Sequence, residues 1–150
     1  MASITLPSSV SSIGNSAFNG SGVEHIVIPG AVTALGESVF QASKLKSFVA
    51  EEGLVTLGSN TLFYNATSLV FVDLPSTVSS IARNTFNGCR ALTTIICRAT
   101  TPPTVGASAF YGVPSACSIY VPDSAVAAYK AASEWSSRAS YIKPLSQYGG

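Results

Sequence analysis

The sequence predicts a mainly β solenoid: a stack of five to six coils of 22–24 residues, followed by a C-terminal helix. Three observations support this prediction. The stretch LPSSVSSIGNSAFNG at residues 6–20 returns as LPSTVSSIARNTFNG at residues 74–88. An apolar residue, usually followed by Pro, recurs at the same interval along the chain. A single coil of this size cannot bury its own apolar side, whereas stacked coils share one continuous core.

Each coil is predicted to begin with a short strand. Apolar residues stand two positions apart, which is the alternation of a half-buried strand, and Pro ends the strand by removing a backbone donor. Glu51 and Arg98 replace that Pro in the third and fifth coils. The anchors before this position are Leu6, Ile28, Ala50, Leu74, Cys97 and Val121, and the inward residues two positions earlier are Ile4, Ile26, Phe48, Val72, Ile95 and Ile119.

A second signature follows each strand, and it consists of two aliphatic residues and a phenylalanine. We expect the phenylalanines of successive coils to stack upon one another in the core. Gly14, Gly36 and Gly58 follow the last aliphatic residue and predict tight turns with φ values that other residues avoid. The matching sets are Val10, Ile13 and Phe18; Val32, Leu35 and Phe40; Leu54, Leu57 and Phe63; Val78, Ile81 and Phe86; and Ala109 with Phe110.

The chain divides into predicted repeats at residues 1–122 and a predicted helical cap and tail at residues 123–150. Asp123 or Ser124 is expected to cap the helix. Apolar residues three positions apart form one face of this helix, and that face is expected to cover the end of the stack. An extended piece is expected to follow the helix. The face comprises Val126, Tyr129, Ala132 and Trp135, and the extended piece comprises Tyr141, Ile142 and Leu145. The N-terminal end is expected to be uncapped and covered by another copy, another protein or an upstream domain.

Composition excludes several classes of function. With 47% apolar and 10% charged residues and a mean hydropathy of +0.38, the chain is expected to fold around a core. The net charge of +1 and the scattered basic residues argue against a nucleic-acid partner. No stretch approaches the roughly eighteen apolar residues of a membrane span.

Residues that could carry chemistry are few. His25 is the single histidine, and its predicted neighbours in the adjacent strands are Ser3 and Ser47, with no carboxylate placed beside it. The three cysteines have spacings of 8 and 20, which match no usual zinc pattern; Cys89 and Cys97 are expected to be small buried hydrophobes. The prediction is therefore a protein without catalytic residues, metal or cofactor.

Strand alternation also predicts which residues face outward. The outward positions form a strip that is more apolar than a water-facing surface requires, and it is a candidate protein contact. An alternative explanation is that β-branched residues stack well on a sheet and cost little when exposed. The predicted binding residues are Val27, Val49, Phe71, Asp73, Ile96 and Tyr120, together with His25.

The repeat resembles a known family. The pattern I-x-L-P-x-x-V-x-x-I-G-x-x-A-F-x-x-C-x-x-L, present as ITLPSSVSSIGNSAFNG and VDLPSTVSSIARNTFNGCRAL, is similar to the BspA-like, or Treponema pallidum type, leucine-rich repeat. The likeness covers about residues 3 to 122. The segment RATTPPTVGASAF followed by SIYVPDSAVAAYKAASEW is similar to the closing segment of BspA-like proteins of Bacteroidetes. The resemblance implies a right-handed leucine-rich-repeat solenoid and a surface or secreted adhesion or ligand-binding protein.

Two functions are therefore open. The first is an adhesin-like, non-enzymatic module that binds a protein or glycan through the outward strand face. The second is a structural assembly component, such as a virion decoration or fibre protein of a phage of gut bacteria, because related repeats occur in phage proteins. Such a component would associate with copies of itself through the strand face or the uncapped N-terminal end. The start, MASITLPSSV, lacks a secretory signal, so the expected location is the cell surface or exterior if a signal was removed, or a virion.

Overall fold

Two parallel sheets run along the molecule. The computed structural model describes residues 3–58 and 60–149, and within them seven strands form the larger sheet, in the order β1-β2-β3-β5-β7-β9-β10, and three form the smaller sheet, in the order β4-β6-β8. The strands are β1 Ser3–Ile4, β2 His25–Ile28, β3 Ser47–Ala50, β4 Thr56–Leu57, β5 Phe71–Leu74, β6 Ser80–Ile81, β7 Thr94–Cys97, β8 Thr104–Val105, β9 Ser118–Val121 and β10 Ile142–Pro144. The predicted leucine-rich-repeat solenoid is confirmed.

The strands of the larger sheet are paired residue on residue, so that equivalent positions of successive coils form rows. The predicted inward row lies in this register and is buried from Ile26 onward. Ile4 is the exception: its side chain is 39% exposed because β1 has β2 on one side and no described strand on the other. The row consists of Ile4, Ile26, Phe48, Val72, Ile95, Ile119 and Ile142.

The phenylalanines of five successive coils form a column inside the solenoid, as predicted. Their ring centroids are 5.4, 5.7, 5.5 and 5.9 Å apart, and neighbouring rings are within 18° of parallel. Phe48 from the strand side meets the column edge-on. Each aromatic pair adds about 0.5–1.5 kcal/mol to what burial alone contributes. The column consists of Phe18, Phe40, Phe63, Phe86 and Phe110.

Two residues in each coil adopt left-handed backbone angles, two positions before and two positions after the phenylalanine. Gly58 was correctly predicted to have a positive φ, whereas the same prediction for Gly14 and Gly36 is wrong. Gly36 instead allows a close approach, since a Cβ there would lie 2.7 Å from the backbone nitrogen of Asn15. The left-handed pairs are Ser16 and Gly20, Ser38 and Ala42, Thr61 and Asn65, Asn84 and Gly88, and Ser108 and Gly112.

These backbone angles accompany a regular set of hydrogen bonds between the phenylalanine-containing bends of successive coils, which we call the bend ladder. The amides of Ser16, Phe18 and Gly20 donate to three carbonyls of the next coil, at 2.8–2.9 Å. The same three bonds recur at the next three junctions, and the earlier coil is always the donor. The peptide group between Glu37 and Ser38 illustrates the rule: its carbonyl accepts from the coil before, and its amide donates to the coil after.

An aromatic pair from the C-terminal segment packs on the last phenylalanine of the column. The Trp135 ring lies 5.3 Å from Phe110 and 5.0 Å from Tyr129, and both Trp135 and Tyr129 are fully buried. Their polar atoms are satisfied, because the indole donates to the Pro103 carbonyl at 2.9 Å and the phenol to the Ala99 carbonyl at 2.6 Å.

The helix in this segment is shorter than the apolar spacing predicts. Helix α1 covers Val126–Ala131, so Trp135 lies beyond its end. The prediction that Asp123 or Ser124 caps the helix is wrong: a 3₁₀ turn at Asp123–Ala125 precedes α1, and neither element has a side-chain cap. The carboxylate of Asp123 instead accepts a hydrogen bond from the Ser146 amide at 3.0 Å, which ties the following segment to this turn.

Candidate functional site

The outward face of the larger sheet carries the predicted site residues in two adjacent rows. One row contains Val27, Val49, Asp73, Ile96, Tyr120 and Lys143. The other contains Ser3, His25, Ser47, Phe71, Thr94 and Ser118. The predicted rows are confirmed by this register, whereas the binding role of their residues stays a prediction.

His25 and Ser47 form a polar pair at the start of this face. The imidazole Nδ1 lies 2.7 Å from the Ser47 hydroxyl, and His25 is exposed. Ser3 and Ser47 flank His25 in the register, as predicted. A neutral imidazole and a hydroxyl can each donate or accept a hydrogen bond, so the pair offers adaptable polar contacts to a bound molecule.

The later half of the face is covered by the chain itself. Residues 145–149 follow β10 and return over the sheet, where the ring of Tyr148 lies 6.3 Å from Phe71 and 5.1 Å from Tyr120. Ile96 is on the strand between these two residues and is only 1% exposed, although it does not belong to the interior core cluster. The prediction that Ile96 contributes to an exposed strip is therefore wrong, because Tyr148 covers this part of the sheet.

Asp73 is engaged by a residue that the sequence analysis did not assign to the site. The Arg98 guanidinium donates two hydrogen bonds to the Asp73 carboxylate, at 2.9 and 3.0 Å. These bonds are the main cause of the raised pKa of Arg98, and attraction to the charge of the same carboxylate adds to it. Arg98 takes the position that Pro occupies in four other coils, and that substitution was the available signal in the sequence.

The earlier half of the face is open. Val27 is 48% exposed and Val49 is half-buried. They line a shallow groove of about 210 Å³ together with Ile4, Thr5 and His25. Apolar side chains flanked by a few hydrogen-bonding groups are the usual composition of a contact surface rather than of a catalytic cleft.

The repeat defines the family. A family model described as the BspA type leucine rich repeat region (6 copies) matches residues 1–93 and 56–145. The chain belongs to the BspA-type leucine-rich-repeat family. No curated protein matches the chain. Leucine-rich repeats usually mediate protein interactions and are generally non-enzymatic, and BspA-like proteins are typically at the cell surface or secreted.

The thiols of this BspA-type chain belong to its interior. Cys89 and Cys97 are fully buried, as predicted, and Cys117 is 1% exposed. Burial raises the pKa of Cys89 to about 12 and that of Cys117 to about 11, so both thiols stay protonated at neutral pH. The Cys97 sulfur lies 3.3 Å from the oxygen of the Tyr129 hydroxyl, whose single proton is donated to the Ala99 carbonyl.

Two further properties of the BspA-type chain concern ligands and membranes. The described residues contain no group of three or more potential metal-ligating His, Cys, Asp or Glu side chains. The helices within residues 3–58 and 60–149 are not long and apolar enough to cross a lipid bilayer.

Proposed function

We propose that this chain is a non-enzymatic module that binds a protein through the open half of its outward sheet face. The observation that supports the proposal is the exposure of Val27 beside His25 and Val49 on a parallel sheet. Contiguous exposed apolar groups with polar neighbours are typical of protein contact surfaces. We propose an adhesin-like role at the cell surface or outside the cell, in keeping with the usual location of the family.

A protein fits this surface better than a glycan. Val27, Val49 and Ile4 expose hydrocarbon that cannot satisfy the hydroxyl groups of a sugar, and burying such hydroxyls without partners is costly. The aromatic rings that could stack on a sugar, Phe71 and Tyr120, are already packed against Tyr148.

The test compares two valine variants. Val27→Asp with Val49→Asp places two charges in the groove, whereas Val55→Asp places one charge at a comparably exposed valine (39%) outside both rows. Affinity capture from extracts of cells and extracellular material should retain a protein on the wild-type chain and on Val55→Asp but not on the double variant. If every captured protein is retained equally by all three chains, the proposal is wrong.

A second candidate function is a subunit of an assembly such as a virion, built through the same face. The exposed side chains of Ile4 and Val27 favour this candidate, because neighbouring exposed apolar groups promote association. Sedimentation over a wide concentration range separates the two functions. A subunit forms an oligomer that the double valine variant disrupts, whereas a monomer at every concentration rules out self-assembly.

A further inference from the structure

The part of the chain that covers the sheet face forms a defined structure, which we call the strap: residues 145–149. It begins with a 3₁₀ turn at Leu145–Gln147 and then places Tyr148 over β7. Beneath Tyr148 lies what we call the aromatic slot, with Phe71 and Tyr120 as walls and Ile96 as floor. An aliphatic floor between two rings is a favourable site for a third ring.

The contacts that hold the strap are few. The Ser146 amide donates to the Asp123 carboxylate at 3.0 Å, the Ser146 side chain also hydrogen-bonds to that carboxylate, and both bonds lie at an exposed site. The bond from the Tyr148 amide to the Leu145 carbonyl lies within the strap itself. Ser146, Gln147 and Gly149 are exposed. The half-buried side chains of Leu145 and Tyr148 and these exposed bonds must therefore offset the ordering entropy of the whole strap, and such segments open more readily than core strands.

We propose that the strap opens, and that the aromatic slot then receives a tyrosine side chain of the bound protein in place of Tyr148. This inference rests on the proposed function, since the slot is continuous with the groove: Val49, Asp73 and Ile96 are successive members of one row. Tyr148 itself shows which side chain fits. Its ring lies 6.3 Å from that of Phe71 and 5.1 Å from that of Tyr120, so the slot accommodates a phenol ring between two other aromatic rings.

The strap regulates the binding face in this scheme. When closed, it leaves the partner only the half around Val27 and Val49. When open, it adds the slot and so extends the contact along the same row. The closed strap and the partner compete for one site, so closing of the strap reduces the apparent affinity in proportion to the fraction of molecules that remain open. Removing the ring of Tyr148 should therefore raise the affinity for the partner by the same factor.

The opening can be measured without the natural partner. In an Ile96→Cys variant, the rate of maleimide labelling at position 96 reports how often the slot is uncovered. We expect slow but measurable labelling with Tyr148 present, a rise of about tenfold or more in Tyr148→Ala, and little change in Tyr148→Phe, which keeps the ring. The unsubstituted protein supplies the background from its buried thiols.

A Val49→Cys variant is the matched control, because position 49 lies in the same row but outside the slot. Its labelling should not depend on residue 148. Equally fast labelling of position 96 in every variant would show that the strap does not cover the slot. Labelling at background rate while Tyr148 is present, with fast labelling in Tyr148→Ala, would show that the strap does not open.

Occupation of the slot by a tyrosine side chain is tested with peptides of the strap sequence. Millimolar LSQYG added to the Ile96→Cys, Tyr148→Ala variant should slow labelling, whereas LSQAG should not. Equal rates with the two peptides would overturn the tyrosine subsite. Neither experiment involves Val27 or the natural partner, so a failure here leaves the proposed function to its own test.

Discussion

The indole ring of Trp135 packs against the phenyl ring of Phe110, with their centroids 5.3 Å apart, and so continues the phenylalanine column beyond the last repeat. Arg138 reinforces this contact, since its guanidinium lies 5.5 Å from the Phe110 ring centre and donates to the carbonyls of Phe110, Val113 and Pro114. The column thus ends against an aromatic ring and an arginine instead of water.

Trp135→Ala should therefore destabilise the protein strongly. Loss of a fully buried indole typically costs about 3–5 kcal/mol of the free energy of unfolding. Trp135→Phe keeps a ring but loses the hydrogen bond to the Pro103 carbonyl, and should cost less than Trp135→Ala. Urea unfolding measures both, with Tyr141→Ala as an exposed aromatic control. A loss below about 1 kcal/mol in Trp135→Ala would contradict this role.

The cost of shortening a phenylalanine should depend on its place in the column. Phe63 is fully buried between Phe40 and Phe86, so Phe63→Ala should cost about 3–5 kcal/mol. Phe18 is half-buried and contacts one ring of the column, Phe40, so Phe18→Ala should cost roughly half as much or less. Equal losses in urea unfolding would mean that position in the stack does not matter.

Exchanging alanine and glycine at positions with left-handed backbone angles should change the stability of the protein in opposite directions. Ala42 has a φ of 54° at a position where three other coils have glycine. Ala42→Gly should stabilise the protein by about 1 kcal/mol, because a left-handed alanine is strained by about that amount. Gly88→Ala should destabilise it, since φ is 84° and a Cβ would collide with the Asn65 side chain. Thermal unfolding measures both substitutions.

Gly14→Ala is the matched control for that series. Gly14 is not left-handed, and a Cβ there would meet nothing within 4 Å. The substitution should be neutral or slightly stabilising, because alanine restricts the unfolded chain. A loss as large as that of Gly88→Ala would contradict the explanation by φ.

The hydrogen bonds of Glu52 should make the stability of the protein depend on pH. The Ser76 side chain and amide both donate to its carboxylate, and these bonds lower the pKa of Glu52 in the folded protein. A lowered folded pKa contributes stability that is complete above the unfolded value, about 4.3, and is lost as the pH falls through the folded value. Glu52→Gln should thus be less stable than the wild type at pH 7.

The stability difference between Glu52→Gln and the wild type should shrink as the solution is acidified below the unfolded pKa. Its size is small, because Glu52 is exposed and solvent screens the interaction. Ser76→Ala is the control: in that background Glu52→Gln should have a weaker effect, which a double-mutant cycle measures. A difference that persists unchanged into acid would contradict the linkage.

Features of the fold that repeat could be predicted from sequence. Alternation with a period of two placed Ile26, Phe48 and Val72 in the core, and the spacing of Phe40 and Phe63 predicted their stacking. Each of these residues has counterparts at the same position in neighbouring coils. Because those counterparts are also its spatial neighbours, the repeat in the sequence predicts the contacts in the structure.

Contacts made by residues outside the repeat could not be predicted in the same way. Tyr148 has no counterpart in another coil, and nothing in the sequence pattern shows that it returns over Ile96. The Asp123 carboxylate could accept a hydrogen bond either from an amide at the start of the helix or from an amide elsewhere in the chain. In the structure it accepts from the Ser146 amide, and the helix start has no side-chain cap. Such choices depend on the packed geometry of the whole C-terminal segment.

The hydrogen bonds of the bend ladder all run in one direction, from the amide of the earlier coil to the carbonyl of the later coil, and this gives the solenoid an electrical direction. Every peptide group in that set points its carbonyl toward the earlier coils and its amide toward the later ones. Their dipoles, about 3.5 D each, therefore add along the long axis instead of cancelling. The bend ladder presents its carbonyl ends, which carry partial negative charge, at the coil of Ser16, and its amide ends, which carry partial positive charge, at the coil of Gly112.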